Sequence, residues 1–252
     1  MLILLSPAKN QDFTNPAPVQ DYSDISFPTD TAELVTELKK YSPEKLGDLM
    51  SISPKLSELN YQRFHDFNTD KSPTKQVLFA FQGDAYKSLN AASLSGDDIA
   101  FAQQHLVMLS GLYGLLRPLD LIHAYRLEMK TKLANPKGKD LYQFWGDKLT
   151  KQLNTWLANT ENNTVINLAS GEYSKAIDFK QISGQVITID FKELKDDQYK
   201  TIGLFAKRAR GAMARYIICH QITEPKSLEN FAELGYKYNP ELSISNKMVF
   251  CR

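Results

Sequence analysis

The densest group of anion-holding side chains in this sequence is Lys207, Arg208, Arg210 and Arg215. At about 100° per residue around a helix axis, these four fall in one broad arc. Phe205, Ala209, Ala212, Met213, Tyr216 and Ile217 fall on the opposite side, an apolar stripe suited to docking on a core. Three of the four cations are arginines, whose planar guanidinium meets phosphate with two parallel hydrogen bonds. No Asp or Glu occurs from Gln198 through Thr223, so no neighbour in sequence neutralises the arc. Gly211 lies in the middle of that face, where glycine costs about 0.5–1 kcal/mol relative to alanine. It permits either close approach of a ligand to the backbone or close packing of a second helix. A solvated cationic face is the plain alternative. The arginine content and the lack of interleaved acids favour phosphate.

Further polar residues follow runs that read as strands. Ser6-Pro7-Ala8-Lys9 leaves the apolar run Met1–Leu5, Gly83-Asp84 follows Gln76–Gln82, and Glu172-Tyr173 follows Thr164–Leu168 across Ala169–Gly171. Ligands of open α/β sheets collect beyond the carboxyl ends of the strands. Lys9 there either holds a phosphate or carboxylate, with Ser6 donating to it, or is a surface lysine on a plain turn, the reading that the segment taken alone favours. Asp84 and Glu172 would be two carboxylates at one sheet edge, suited to acid–base work or to a divalent ion, although each taken singly can also cap a helix. Tyr125–Glu128 alternates polar and apolar residues, so in a strand Arg126 and Glu128 share one face. They form either a structural ion pair or an anion clamp beside a general base. Ser110–Arg117 places glycines on both sides of Tyr113. The GxxxxGK[ST] phosphate-loop spacing is absent, which leaves a flexible cradle beside Arg117 or a tight turn packed by Leu112, Leu115 and Leu116. The four histidines, His65, His105, His123 and His220, are scattered without HxxxH, HExxH or ExxH spacing, so neither a preformed metal centre nor a cofactor is expected.

The elements that must position these groups follow from patterning. Met1–Leu5, Leu106–Leu109 and Thr164–Leu168 read as buried strands, and Gln76–Gln82 is also β-prone. Val186–Phe191 and Lys200–Phe205 look like an antiparallel pair. Helices are expected near Thr31–Lys40, over Asp97–His105 capped by Ser95, over Lys139–Ala158 as the longest, and from Ala206 to about Gln221. Ser42-Pro43 and Ser53-Pro54 each open a short helix, since serine caps an unpaired N–H and proline suits the first helical position. The pair Pro43–Met50 and Pro54–Phe64 meets at a turn that includes Ser51. Strands and helices mix without strict βαβ alternation, which predicts a mixed α/β (α+β) fold with a central sheet and surrounding helices, organised as one compact domain over 1–252. The chain is 42% hydrophobic and 23% charged, with 30 Lys+Arg against 29 Asp+Glu and a net charge of +1. That balance confines any polyanion site to a local patch. Cys219 and Cys251 sit in no metal or redox spacing, and no stretch is long enough to span a bilayer. A cytoplasmic protein without membrane contact is expected.

Taken together, Leu5–Lys9, Gln82–Tyr86, the block Leu109–Met129, Gly138–Gly146, Asn167–Tyr173 and Phe205–Tyr216 resemble the YaaA family of bacterial proteins. The resemblance runs through most of the chain. It implies protection during peroxide stress with a lowering of unincorporated iron, a positively charged cleft, a helix-hairpin-helix-like element at about 42–65, and DNA binding. Since the chain offers no recognisable iron ligands, the iron effect is expected to be indirect. The matching hairpin carries Ser51 and Ser53 where such elements use glycine; the serine hydroxyls and the N-terminus of the helix at Pro54 would receive the phosphate.

Two readings follow. In the first, the chain binds double-stranded DNA without base readout, with Lys207, Arg208, Arg210 and Arg215 on phosphates and Lys9, Arg117 and Arg126 deeper in. In the second, it is an enzyme acting on a nucleotide or other phosphorylated small molecule, with Lys9, Arg117 and Arg126 holding the anion and Glu128 or Glu172 moving protons. The second requires these residues to converge in one pocket.

Overall fold

Met1-Leu2-Ile3-Leu4-Leu5 carries no polar side chain, the composition of a strand buried on both faces. In the computed structural model, which describes residues 1–252, this run forms β1 (Leu2–Leu5) and is wholly buried. The other strands are β2 (Asn10–Gln11), β3 (Thr74–Gln76), β4 (Phe81–Gln82), β5 (Leu106–Ser110), β6 (Gly114–Leu116), β7 (Leu121–His123), β8 (Thr164–Asn167), β9 (Gln185–Lys195), β10 (Gln198–Lys200), β11 (Lys237–Tyr238) and β12 (Lys247–Cys251). Eight of them form one sheet in the order β11-β12-β9-β8-β1-β5-β6, with β10 paired to β9. Its centre, from β12 through β9, β8 and β1 to β5, is parallel. Strands β6, β10 and β11 join antiparallel. Two small antiparallel pairs, β2 with β4 and β3 with β7, lie apart from it.

The helices are α1 (Pro28–Leu38), α2 (Pro43–Met50), α3 (Pro54–His65), α4 (Val77–Ala80), α5 (Asp84–Leu89), α6 (Gly96–His105), α7 (Leu141–Trp145), α8 (Lys148–Leu157), α9 (Gly171–Ser174) and α10 (Gly203–Cys219). Local capping sets several starts. Ser42 Oγ accepts the Lys45 N–H and Ser53 Oγ the Leu56 N–H, each ahead of a proline at the first helical position. Ser95 and Asp98 form a reciprocal capping box at α6. A single hydrophobic cluster of 64 buried residues draws on strands and helices from both ends of the chain. The mixed α/β class is as the patterning predicts, and no helix is long and apolar enough to cross a membrane.

Four elements differ from expectation. Lys139–Ala158 is two helices, because Gly146 takes φ +50° and ψ −125° and breaks the run. The longest helix is therefore α10, with 17 residues. Gln76–Gln82 is divided by the short helix α4, so only its two ends pair as strand. The antiparallel partner of β9 is Gln198–Lys200 alone; Asp196 and Asp197, both at positive φ, make the tight hairpin turn, and the chain enters α10 at Gly203. Tyr125–Glu128 lies outside every strand, so its alternation arises without a ladder.

The packing of α10 on α5 decides the role of Gly211. A Cβ at this position would be driven into the Ala85 carbonyl, so the glycine serves helix–helix contact and not a ligand. Gly211→Ala should lower the free energy of unfolding by about 1–3 kcal/mol, the usual cost of overpacking, seen as a lower urea midpoint. A second prediction concerns Asp120, buried and accepting hydrogen bonds from Ser23 Oγ at 2.7 Å and the Arg117 N–H at 2.8 Å. Burial, partly opposed by these bonds, pushes its carboxyl up to about 6. A raised carboxyl stabilises the fold at pH values below the unfolded pKa, and that contribution is lost as pH rises through the folded value. The stability of the parent relative to Asp120→Asn should therefore fall by about 2–3 kcal/mol between about pH 4 and pH 7. Paired urea titrations at the two pH values read this directly.

Candidate functional site

Because β1 and β8 are parallel neighbours, both end at the same edge of the sheet. The chain leaves β1 as Ser6-Pro7-Ala8-Lys9. It leaves β8 as Leu168-Ala169-Ser170 and enters α9, which carries Glu172 and Tyr173. The two exits are tied together: the Ser170 N–H donates to Ser6 Oγ at 2.9 Å and the Tyr86 hydroxyl donates to the Ser6 carbonyl at 2.9 Å. A second wall is Gln82–Tyr86, held beside Asn10 by the β2–β4 pair. A third is α10, whose contact with Ala85 at Gly211 brings Lys207 and Arg210 over the opening. The loop Tyr125–Glu128 completes the site. It is fastened by Tyr125, whose N–H donates to Gln11 Oε1 at 3.0 Å and whose hydroxyl lies 2.7 Å from Ser110 Oγ. Gly111 allows this loop to pass, since a Cβ there would strike the Leu127 carbonyl.

Together these segments enclose a cavity of about 330 Å³. Ser6, Lys9, Asp84, Glu128, Glu172, Tyr173, Lys207 and Arg210 all line it. Arg126 lines an adjoining recess that shares Lys9, Glu128 and Tyr173 with the main space. Of the five residues of the enzyme reading, Lys9, Glu128 and Glu172 meet in this cavity, Arg126 lies in the adjoining recess, and Arg117 lies elsewhere.

Glu128 is the electrostatic centre. Its Oε1 lies 2.9 Å from Lys9 Nζ and 3.0 Å from Arg126 Nη2. Burial pushes this carboxyl up, but the hydrogen bonds and charges of Lys9 and Arg126 outweigh burial and leave it below the ordinary range. Its other oxygen is 3.6 Å from Lys130 Nζ, which is also 3.7 Å from Glu172 Oε2. Tyr173 is pushed up by burial and so remains a neutral hydroxyl. Arg210 has no carboxylate in ion-pair contact; its Nε is buried without a hydrogen-bond partner, and burial pushes its guanidinium down. Arg126 Nε is likewise unpartnered. The cavity thus carries both signs and is not a uniformly positive cleft.

The structure divides the cationic arc of α10. Lys207 and Arg210 face the cavity. Arg208 pairs with Asp84 at 3.3 Å. Arg215 donates to the carbonyls of Leu89 and Asn90 at 3.0 and 3.2 Å, satisfying the end of α5. Arg117 lies outside the site, stacked over Trp156 at 5.4 Å; the glycine turn before it is packed against Trp145, whose Nε1 donates to the Gly111 carbonyl. Ser51 and Ser53 are also elsewhere. Ser51 takes the left-handed conformation between α2 and α3, and the Ser53 hydroxyl is already engaged as a cap. The hollow beside this hairpin is lined by Glu44, Asp48 and Glu58, which oppose phosphate. Sequence reasoning passed over Lys130, which continues the polar alternation of Arg126 and Glu128 by one more step.

Fold and site define an α/β protein with a two-signed polar pocket at the carboxyl ends of central parallel strands. A family model described as peroxide stress protein YaaA matches residues 1–242, and the chain belongs to that family. It is similar to a UPF0246 protein of Acaryochloris marina, 51% identical over 254 residues with all of both chains covered. It is 49% identical over 254 residues to a UPF0246 protein of Alteromonas mediterranea, covering all of this chain and 98% of that one. A UPF0246 protein of Teredinibacter turnerae is 48% identical over 254 residues, covering all of this chain and 99% of that one. Membership supports a role in peroxide stress.

Glu128→Gln would leave Lys9 and Arg126 without their counter-charge. Near pH 7 it should cost about 1–3 kcal/mol of stability. Because the folded carboxyl is depressed, its contribution is present above the unfolded pKa and is lost as pH falls through the folded value. The gap between parent and variant should therefore close under acid conditions, which urea melts at neutral and acid pH will measure.

Proposed function

We propose that this peroxide-stress protein works by binding, and acting by acid–base chemistry on, a small phosphorylated molecule in the pocket between β1, β8 and α10. The observation that supports this reading best is the convergence of Arg210 and Lys207, neither in an ion pair, with Glu128 and Glu172 in one cavity. Arg210 is half-buried and its Nε is buried without a hydrogen-bond partner; an anionic ligand supplies that partner. Arg210 and Lys207 hold the phosphate, with Lys9 at the rim and the Ser6 hydroxyl as a donor. Glu128 is held ionised by Lys9 and Arg126 and so positions charge; Glu172, whose Oε2 accepts no hydrogen bond, is the group free to move a proton. Any limiting of damage from unincorporated iron is then indirect, a consequence of what the pocket binds or makes.

A second reading is non-specific binding of double-stranded DNA, supported by the exposed cations at the rim. The side chains of Lys9, Lys130 and Arg208 are 57%, 64% and 51% exposed. Calorimetric titration with nucleoside phosphates, pyrophosphate and a short DNA duplex at low and high salt separates the two. The pocket reading expects a nucleoside phosphate to bind with an affinity only mildly sensitive to salt, and Arg210→Gln to weaken it tenfold or more. The DNA reading expects duplex affinity to fall steeply with salt, and Arg208→Glu to abolish it while Arg210→Gln changes it little. Small ligands that fail to bind under any condition would overturn the first reading.

A further inference from the structure

The two ends of the pocket differ in chemistry, and that difference says more about the ligand than its phosphate. At one end Arg210 and Lys207 await an anion. Glu128 and Glu172 line the same cavity, and one oxygen of each, Oε2, lies beside a single position. The position is occupied by Lys130 Nζ, at 3.6 and 3.7 Å from the two oxygens. Both separations are too long for a hydrogen bond, so the ammonium there is a loosely held counter-ion. The Lys130 side chain is 64% exposed, on a stem free to swing outward. Neither oxygen has another donor: Arg126 and Lys9 both go to Oε1 of Glu128, and the Lys130 N–H goes to Oε1 of Glu172 at 3.4 Å.

Resting on the pocket reading above, we propose that the ligand is a phosphorylated molecule with an N–H-rich group, of the class of aminated nucleotides. Its amino or amidine-type edge displaces the Lys130 ammonium and donates to Glu128 Oε2 and Glu172 Oε2. Two partly desolvated acceptors reward a donor placed between them and penalise a carbonyl oxygen in the same place, which would face two carboxylates with no proton to share. A ligand of this class satisfies both ends at once, its phosphate on Arg210 and Lys207 and its nitrogen edge on the carboxylate pair. A phosphate without such an edge satisfies only the first.

Matched pairs test this with the full chain. Cytidine and uridine monophosphates differ by an amino group against a keto oxygen; guanosine and inosine monophosphates differ by one amino group. Calorimetry should show the amino-bearing member binding at least tenfold more tightly in one pair or both. Lys130→Met, a change at an exposed side chain, should widen the preference because the competing ammonium is gone. Differences below tenfold in both pairs, or a preference unchanged or narrowed in Lys130→Met, would overturn the proposal. Ribose 5-phosphate keeps the two levels apart. If it binds while the pairs show no preference, the anion end stands and the amine inference fails. If nothing binds at all, the pocket reading fails and takes this inference with it.

Discussion

The whole arrangement hangs on β1. Its residues are apolar without exception and buried without exception, so the strand is stable only with sheet on both edges and cover on both faces. Parallel pairing to β5 on one side and β8 on the other meets the first demand. Parallel pairing also brings the carboxyl ends of neighbouring strands to one edge, where the chain turns polar as soon as it leaves each strand. The site is therefore a by-product of how the core strand is satisfied: Ser6–Lys9 and Ser170–Tyr173 are neighbours because Leu4 and Asn167 are in register. Ser6 then locks the two exits together through Ser170.

Around that edge the charges are distributed by burial and not by count. Near-neutral composition conceals a Glu128 that accepts two cations on one oxygen, and an Arg210 that feels the charge of Asp190 but has no carboxylate in ion-pair contact. The buried Arg210 Nε has no hydrogen-bond partner, and burial lowers the pKa of its guanidinium against the opposing charge of Asp190. Arg215 and Arg208, about two turns apart on the same helix, by contrast serve structure, on the α5 carbonyls and on Asp84. The same residue type on the same helix thus serves opposite ends. What separates the roles is the line of closest approach of α10 to α5, set where Gly211 meets Ala85.

Much of this was legible from residues alone. Apolar runs marked β1, β5 and β8, the two Ser-Pro pairs and Ser95 marked the starts of α2, α3 and α6, and polar residues after strands marked Lys9, Asp84 and Glu172. Alternation put Arg126 and Glu128 on one side even though no strand forms there, because an extended chain alternates with or without ladder partners. Less legible were the break at Gly146, where a favourable helical composition yields to one residue at positive φ, and the hairpin at Asp196-Asp197. Least legible was Arg117, which has the type and setting of an anion ligand but lies over Trp156, a residue distant in sequence.

By itself the sequence determined the fold class, the strands that build the core and the chemical types available at their ends. These depend on local periodicity, capping and burial, which act over a few residues. Tertiary structure alone decided which of the Lys207–Arg215 cations line the cavity, that the basic face is divided instead of continuous, and that Glu128 and Glu172 converge on Lys130. Those outcomes depend on distances between segments far apart in the chain. A few ångströms there separate a structural ion pair from a cation with no carboxylate in contact, and no spacing along the sequence encodes them.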